Sequence, residues 1–295
     1  MNNTQPGILA PVPRLARYLS FSLKPDSDPK KALMDLRELA DGDKVVVGIG
    51  KSLVLALGVD IAGLRNFPNE MGVGIEIPST PASLWCWLRG EDRGELVHQS
   101  RLIHGSLVSA FHLNNVIDAF QYGPSLDLTG YEDGTENPKG DDAIEAGIVK
   151  GAGKGLDGSS FVAVQQWVHD LDQFQSMSVE RQDNTIGRRK SDNEELDDAP
   201  LSAHVKRTAQ ESFQPEAFIL RRSMPWADAN HEGLVFVAFG KRFDAFEALL
   251  RRMVGGEDGV TDALFSFTRP ISGSYFWCPP MDNGGLDLSV LELSP

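Results

Sequence analysis

The sequence predicts an α+β fold made of two ferredoxin-like halves, each with an antiparallel β-sheet and peripheral helices. Strand-like and helix-like segments interleave in the order β-α-β-β-α-β in each half of the chain. A strand that ends in glycine before a helix occurs twice, at Leu84–Gly90 and Leu234–Gly240, about half the chain length apart. The glycine-rich stretch Gly147–Ser160 lies between the two series and is typical of a linker.

The first half alternates between two kinds of periodicity. Tyr18–Leu23 alternates apolar and polar residues, as a half-buried strand does. Asp28 and Pro29 suit the N-cap and first position of a helix that carries Leu33 and Leu36 on one face. The predicted elements are the strands Tyr18–Leu23, Val45–Ile49 and Leu84–Leu88, a helix after Pro29, and a helical stretch that ends near Ile103.

The second half repeats this order of elements. The predicted strands are Phe161–Val168, Phe218–Leu220 and Leu234–Phe239, and the predicted helices are a segment that starts at Asp170 and Phe243–Met253. We therefore expect residues 1–150 to form the N-terminal half and residues 151–295 to form the C-terminal half.

The composition is that of a globular protein and restricts the class of partner. Of the 295 residues, 41% are hydrophobic and 24% charged, which is enough for a large core. The formal net charge of −14 opposes extended contact with nucleic acid or anionic lipid, because both require clustered Lys and Arg. No secretory signal or membrane-spanning apolar run is visible, so we expect a cytoplasmic protein without nucleic-acid or membrane partners.

Several motifs that would indicate another chemistry are incomplete. Cys86 and Cys278 lie in apolar aromatic surroundings, which favours two buried, unpaired thiols. Gly48–Ser52 resembles the end of a P-loop, but Val45 stands where its first glycine is required. Asp133–Asn137 resembles the start of a calcium loop, but a proline occupies the glycine position. The histidines are scattered and show no zinc-site spacing.

One carboxylate is bracketed by glycines. Gly130–Gly134 contains Asp133, and Thr135–Pro138 follows directly. Asp-Gly and Asn-Pro are common turn dipeptides, so an ordinary surface turn is one interpretation. The other is that the glycines allow a positive φ or a close backbone approach, which presents the carboxylate to a ligand. His204, after a polar loop, and Arg221, at the end of a predicted strand, favour the second interpretation.

Together these segments resemble the dye-decolourising peroxidases, in particular the bacterial type B group. The resemblance extends over nearly the whole chain and depends on several motifs in one order. They are Gln5–Leu9, Ala16–Leu19, Gly130–Gly140, Ile186–Arg188, Ser202–Thr208, the Arg-x-Ser-Met-Pro run at Arg221, Phe267–Gly273 and Tyr275–Trp277. The resemblance implies a fold of the dimeric α/β-barrel superfamily type, in agreement with two ferredoxin-like halves.

The resemblance further implies a haem peroxidase with one haem b per chain. His204 would be the axial ligand and therefore the one metal-binding residue, with Asp262, or as an alternative Glu195, accepting a hydrogen bond from its other ring nitrogen. Asp133 would transfer a proton between the oxygens of hydrogen peroxide, and Arg221 would stabilise the departing oxygen. The resulting ferryl haem would oxidise dyes or other small aromatic or phenolic reductants.

Other residues have secondary roles by the same resemblance. Arg188 and Arg207 are candidates for the haem propionates, although arginines are more often surface charges. Ser223 aligns with a distal polar position among the catalytic residues. The remaining cofactor-binding candidates are Gly134, Thr135 and Glu136, and the aromatic residues that are either electron relays or plain core are Tyr131, Trp167, Trp226 and Trp277.

Two other classes of function stay open. A haem-binding or haem-handling protein would carry or sense haem, or release its iron, without peroxide turnover. The presence of Asp133 and Arg221 favours the enzyme, because storage needs no acid–base pair. An acidic adaptor without haem would depend on the fold and the net charge alone.

The sequence also suggests two kinds of macromolecular partner. A homo-oligomer is expected from the antiparallel sheets. Gly285–Leu291 is either a docking peptide for an encapsulating shell protein, as the resemblance implies, or a frayed terminus.

Overall fold

The computed structural model describes residues 3–68 and 74–293. Its first half contains a strand, a helix, two strands, a helix and a strand, with two short helices added. The elements are α1 (Pro6–Leu9), β1 (Leu15–Leu23), α2 (Lys30–Leu39), β2 (Val45–Ile49), α3 (Lys51–Ala56), β3 (Leu84–Gly90), α4 (Arg93–Leu107) and β4 (Phe111–Phe120).

The second half repeats the same series with interruptions. Its elements are α5 (Gly140–Gly147), β5 (Ser160–His169), α6 (Leu171–Ser176), α7 (Val179–Ile186), α8 (His204–Arg207), β6 (Leu220–Arg221), β7 (Met224–Ala227), β8 (Glu232–Gly240), α9 (Asp244–Met253), β9 (Thr268–Pro270), β10 (Ser274–Cys278), β11 (Met281–Asp282) and β12 (Gly285–Leu286). Both β6 and β7 pair with β8, and both β9 and β10 pair with β5, so each pair is one interrupted strand.

The two antiparallel sheets join edge to edge. The first has the order β4-β1-β3-β2, and the second has β10-β5-β8 followed by β6 and β7. One bridge between Ile49 and Trp277 and another between Ala119 and Trp226 connect them, so the strands form a closed ring. Closure removes the exposed edges that antiparallel sheets otherwise present. The prediction of an α+β fold with two ferredoxin-like halves is confirmed.

Strand alternation divides the core into an interior and an exterior. Tyr18, Trp85, Phe239 and Phe276 belong to one buried cluster contributed by both sheets, inside the ring. The opposite faces of the strands are covered by helices. On α9, Phe246, Leu249, Leu250 and Met253 are buried with helical spacing.

The glycine-rich stretch 147–160 is an ordered connection between α5 and β5. Val149 N–H donates to the Ser159 carbonyl at 2.9 Å, and Gly158 N–H donates back to the Val149 carbonyl at 3.0 Å. Contacts with the second sheet begin before this stretch, since the Lys241 N–H donates to the Ala146 carbonyl at 3.0 Å. A domain boundary at residue 150 stays a prediction.

The C-terminal segment is part of the core. Leu286, Leu288 and Leu291 are buried, and Arg37 Nε on α2 donates to the Leu286 carbonyl at 3.0 Å. The interpretation of Gly285–Leu291 as a frayed terminus is therefore wrong, because burial of these leucines holds the segment in place. Within residues 3–68 and 74–293, no helix has both the length and the apolar character to cross a membrane.

Candidate active site

A cavity of about 320 Å³ lies on the outer face of the second sheet, between β5 and β8 on one side and α8 and α9 on the other. Residues of β5 with even numbers, such as Val162 and Val164, point into the ring. Gln165, Trp167 and His169 alternate with them and face the cavity. Leu234 and Phe236 of β8 complete this wall. Apolar walls with a few polar groups are typical of a ligand pocket.

The segment 125–137, called the carboxylate loop below, forms one rim of the cavity. It follows β4 and includes Asp133. Gly130 and Gly134 have φ values of +85° and +81°, a region that disfavours residues with a Cβ. A Cβ at Gly130 would also lie 2.6 Å from the Lys190 side chain. The turn itself therefore requires both glycines, as the positive-φ interpretation expects, and a close approach of their backbone to a ligand stays a prediction.

Asp133 and Arg221 meet at this rim. Arg221 Nη1 lies 3.7 Å from Asp133 Oδ1, and both side chains are partly buried. This separation exceeds a direct hydrogen bond, so both groups keep free capacity toward a molecule in the cavity. Arg221 is the last residue of β6, and the pairing of β6 with β8 fixes its backbone. The geometry brings together a carboxylate and a guanidinium at the rim of the cavity.

Asn137 fastens the carboxylate loop to the strand that carries Arg221. Its Oδ1 accepts the Arg221 N–H at 2.8 Å, and its Nδ2 donates to the Arg221 carbonyl at 3.0 Å. The amide thus replaces a neighbouring strand at the open edge of β6. Sequence reasoning assigned Asn137 only to a turn, and the signal that was present is its position next to Asp133 and before Pro138.

Replacing Asn137 by alanine leaves the N–H and C=O of Arg221 without these partners. We expect the free energy of unfolding to fall by about 1–3 kcal/mol, since the Arg221 N–H loses its partner and the Arg221 carbonyl keeps only the bond from Arg222 Nη1 at 3.0 Å. Urea unfolding followed by circular dichroism measures the change. Asn230→Ala, in an exposed turn, is the matched control and should stay within about 0.5 kcal/mol of the parent. Equal stability of the two variants would contradict the fastening role.

His204 stands at the start of α8 with one ring nitrogen occupied. Its Nδ1 lies 2.8 Å from Asp262 Oδ2, and the Asp262 side chain is fully buried. Asp262 Oδ1 accepts the Leu264 N–H at 2.9 Å, which orients the carboxylate. A carboxylate at Nδ1 leaves the lone pair on Nε2, and within the described ranges no residue hydrogen-bonds to Nε2. The alternative partner, Glu195, instead bonds Lys206.

The other predicted residues at this rim are engaged with each other. Arg188 Nη2 lies 2.7 Å from Glu136 Oε1 and 3.5 Å from Glu195 Oε2. Asn193 Nδ2 donates to Glu132 Oε2 and to Thr135 Oγ1, each at 2.9 Å. Arg188, Thr135 and Glu136 all line the cavity, as Gly134 does. Arg188 therefore lines the cavity together with Arg221, and its guanidinium is bonded to Glu136.

Arg207 and Ser223 have no place at the cavity. The Arg207 guanidinium bonds both oxygens of Asp258 at 2.7 Å and lowers the pKa of that carboxyl to about 2. Its predicted contact with a propionate is corrected, since these bonds direct it away from the cavity. Ser223 lies in the interruption between β6 and β7, and its Oγ accepts the Val237 N–H at 3.4 Å. Ser223 is not among the residues that line the cavity, and its distal role stays a prediction.

Gln165 and His169 are cavity residues that sequence reasoning did not assign to the site. Trp167 also lines the cavity and was considered only as an aromatic candidate. Gln165 Nε2 and Trp167 Nε1 are buried donors without a partner in the described part of the chain. Buried donors normally find an acceptor, and both of these side chains line the cavity. The only sequence signal was the alternation along β5, which places every second side chain on one face.

The aromatic candidates divide between the cavity and the core. Tyr131 and Trp167 line the cavity, whereas Trp226 and Trp277 are buried in the packed clusters. Cys86 and Cys278 are buried and unpaired, as predicted, and burial raises the pKa of both thiols. Neither thiol is therefore poised as a nucleophile.

Comparison with known proteins gives one consistent family. The family model described as Dyp-type peroxidase, C-terminal, matches residues 125–283. A dye-decolorizing peroxidase of Mycobacterium tuberculosis is 31% identical over 249 residues, which cover 78% of this chain and 74% of the relative. One of Rhodococcus erythropolis is 29% identical and covers 93% of this chain and 86% of the relative.

Solved structures agree with the sequence relatives. DypB of Rhodococcus jostii, in one crystal form, is 27% identical with a TM-score of 0.85, and 98% of each chain is covered. A variant of the same protein in complex with haem has a TM-score of 0.84 over 92% of this chain and 95% of that one. The encapsulated DyP-type peroxidase of Mycobacterium smegmatis is 26% identical with a TM-score of 0.84, over 95% of this chain and 96% of that one.

Proposed function

The chain belongs to the dye-decolourising peroxidase family, a family of haem enzymes, and on that premise we propose that it reduces hydrogen peroxide with Asp133 and Arg221 while oxidising small aromatic or phenolic reductants. The observation that supports the proposal is that Asp133, Arg221 and His204 line one cavity, with Asp133 and Arg221 3.7 Å apart. A protein that only carried haem would need the histidine but not the pair.

The residues of the cavity fit a haem group. Nε2 of His204 is free to donate its lone pair, and Asp262 at Nδ1 makes the imidazole a stronger donor. Residues 3–68 and 74–293 contain no group of three His, Cys, Asp or Glu side chains that could hold a bare metal ion. One imidazole suffices when a macrocycle supplies the other ligands, and Leu234 and Phe236 offer apolar contact to its face.

We propose that each chain holds one haem b, which His204 would bind through Nε2 and Arg188 would contact at a propionate. Gly134, Thr135 and Glu136 form the adjacent rim. When bound, the haem supplies the iron that coordinates peroxide and the electrons that cleave its O–O bond. A propionate at Arg188 would compete with Glu136 for the guanidinium. Both are carboxylates, and a guanidinium can pair with either in bidentate geometry.

Asp133 acts as the proton carrier in this proposal. Its carboxylate accepts the proton from the inner oxygen of hydrogen peroxide and returns it to the outer oxygen, which leaves as water. Arg221 lies beside it and stabilises the negative charge that develops on the leaving oxygen. The neighbouring carboxylates Glu132 and Glu136 are held by Asn193 and Arg188, so they do not substitute for Asp133.

The decisive experiment is spectroscopic. Purified protein reconstituted with haem should show a Soret band, bind one haem per chain and change its spectrum on mixing with hydrogen peroxide. A phenolic dye should then restore the starting spectrum with consumption of one peroxide for each two electrons. Protein without a Soret band after reconstitution would refute the haem assignment. Haem binding without any reaction with peroxide would favour haem handling instead.

The partners beyond small molecules are less constrained. The Mycobacterium smegmatis relative is an encapsulated peroxidase, but residues 285–293 of this chain are packed against the core instead of being free to dock. We therefore do not assign a shell partner to this segment. The homo-oligomeric state and the cytoplasmic location stay predictions.

A further inference from the structure

A second polar cluster lies in the wall of the same cavity. His169, the last residue of β5, has its Nε2 3.1 Å from Asp127 Oδ2 and its Nδ1 2.6 Å from Thr268 Oγ1. The side chains of His169 and Asp127 are 6% and 16% exposed, so the pair is nearly shielded from solvent. The proton transfer proposed above uses neither residue.

Hydrogen bonds hold both nitrogens of the His169 ring. Nδ1 is paired with the Thr268 hydroxyl, whose oxygen also lies 3.0 Å from the Val168 carbonyl. Burial by itself would raise the pKa of Asp127, but hydrogen bonds from His169 and Thr129 hold that pKa below its usual value. The ionised carboxylate only accepts, so Nε2–H is the donor of the hydrogen bond to Asp127.

Asp127 is the third residue of the carboxylate loop, which places the cluster near one end of it. Asp127 Oδ1 accepts the N–H and the hydroxyl of Thr129, at 2.8 and 2.6 Å. The Asp127 N–H donates to the Tyr131 carbonyl at 2.9 Å, and its carbonyl accepts the Gly130 N–H at 2.8 Å. One carboxylate therefore organises the turn while His169 joins that turn to β5.

The loop is held at both ends. Asn137 binds the backbone of Arg221 on β6, as described above, and Asp127 binds His169 on β5. Asp133 lies between the two attachments, six residues after Asp127 and four before Asn137. Both strands pair with β8, so the attachments are made to one rigid sheet.

We propose that His169, through its hydrogen bond to Asp127, is a positioning residue that holds the carboxylate loop so that Asp133 faces Arg221. The inference rests on the proposed function for the role of Asp133, but the attachment itself does not. His169 is not placed to react, because protein groups occupy both ring nitrogens. An error of about 1 Å in the position of a catalytic group can cost about 100-fold in rate, so such an attachment matters.

Hydrogen exchange of the haem-reconstituted protein tests the attachment. In His169→Gln, the amides of residues 127–133 should exchange at least about tenfold faster than in the parent, while those of β1 stay unchanged. Asp127→Asn is the second variant, because its Oδ1 retains the bonds to Thr129 and only the bond to His169 is lost. His98→Gln, exposed on α4, is the matched control. Unchanged exchange of residues 127–133 in both cavity variants would overturn the proposal.

Cyanide binding to the ferric protein tests the consequence for Asp133, since the distal base takes the proton of hydrogen cyanide. The Soret shift should develop about tenfold to a hundredfold more slowly in His169→Gln. In an Asp133→Ala background, His169→Gln should add less than about a twofold effect, because it acts through the missing carboxylate. An equal slowing in both backgrounds would overturn the positioning role. If Asp133→Ala alone has no effect, the proposed function fails, and hydrogen exchange still decides the attachment.

Discussion

Asp133→Ala lowers the rate constant for the reaction of the reconstituted protein with hydrogen peroxide by about 10²–10⁴-fold, with the haem content unchanged. The loss has this size because the carboxylate performs both proton transfers, and general acid–base catalysis contributes that much. Stopped-flow absorbance in the Soret region at equal haem concentration measures the rate. Glu132→Ala is the matched control, since Glu132 lines the same cavity and is already bonded to Asn193.

The same reaction tests Arg221. Arg221→Ala should slow the reaction by about 10²–10³-fold, the usual cost of removing one group that stabilises developing charge. Arg221→Lys keeps the charge but loses the planar fork, so its rate should fall between those of the parent and the alanine variant. If Asp133→Ala and Arg221→Ala both react at the parent rate, the acid–base pair described here is not the site of peroxide reduction.

His204→Ala removes most of the bound haem. Removing only an outer partner of a metal ligand typically lowers the affinity by about 10–100-fold. Removing the ligand itself should lower the haem affinity by more than this. Haem titration of the apoprotein, followed at the Soret band, measures the affinity. Added imidazole should restore part of the band, because it can occupy the space of the missing side chain beside Asp262.

The control for this prediction is His98→Ala, which changes an exposed histidine of α4 and should titrate like the parent. Full haem retention by His204→Ala with an unchanged spectrum would exclude His204 as the axial ligand. That result would leave the family membership intact, since the membership depends on sequence and fold, but it would require another ligand.

Periodicity predicted the elements whose buried residues follow a regular pattern along the sequence. Val45–Ile49 was predicted with its observed bounds, and the strands at Leu84 and Leu234 occupy the same position in the two sheets. Phe111–Phe120 was missed because its residues are mostly exposed or half-buried and β1 shifts register against it after Ser20. Ser274–Cys278 was missed because all five residues are buried, which leaves no alternation to read.

The site was predictable where a motif carries the chemistry. His204, Asp133 and Arg221 were found by family resemblance, and the structure brings all three to one cavity. Arg207 illustrates the failure of the same reasoning, because its neighbours in sequence give no sign of Asp258, about fifty residues away. The role of an arginine near a ligand motif can be judged only when its carboxylate partner and its position relative to the cavity are known.

The sequence by itself determined the fold class, the family and the residues that carry the proposed chemistry. The fold class depends on strand alternation and helical spacing, whereas the family and the site residues depend on the resemblance of several motifs in one order. Only the tertiary structure decided that Asp262 orients His204 and that Asn137 and His169 hold the two ends of the carboxylate loop. Each of these contacts joins residues far apart in the chain, and its geometry exists only after the strands have paired. The glycines around Asp133 first suggested a ligand; the structure shows that they shape the turn and that distant side chains position the carboxylate.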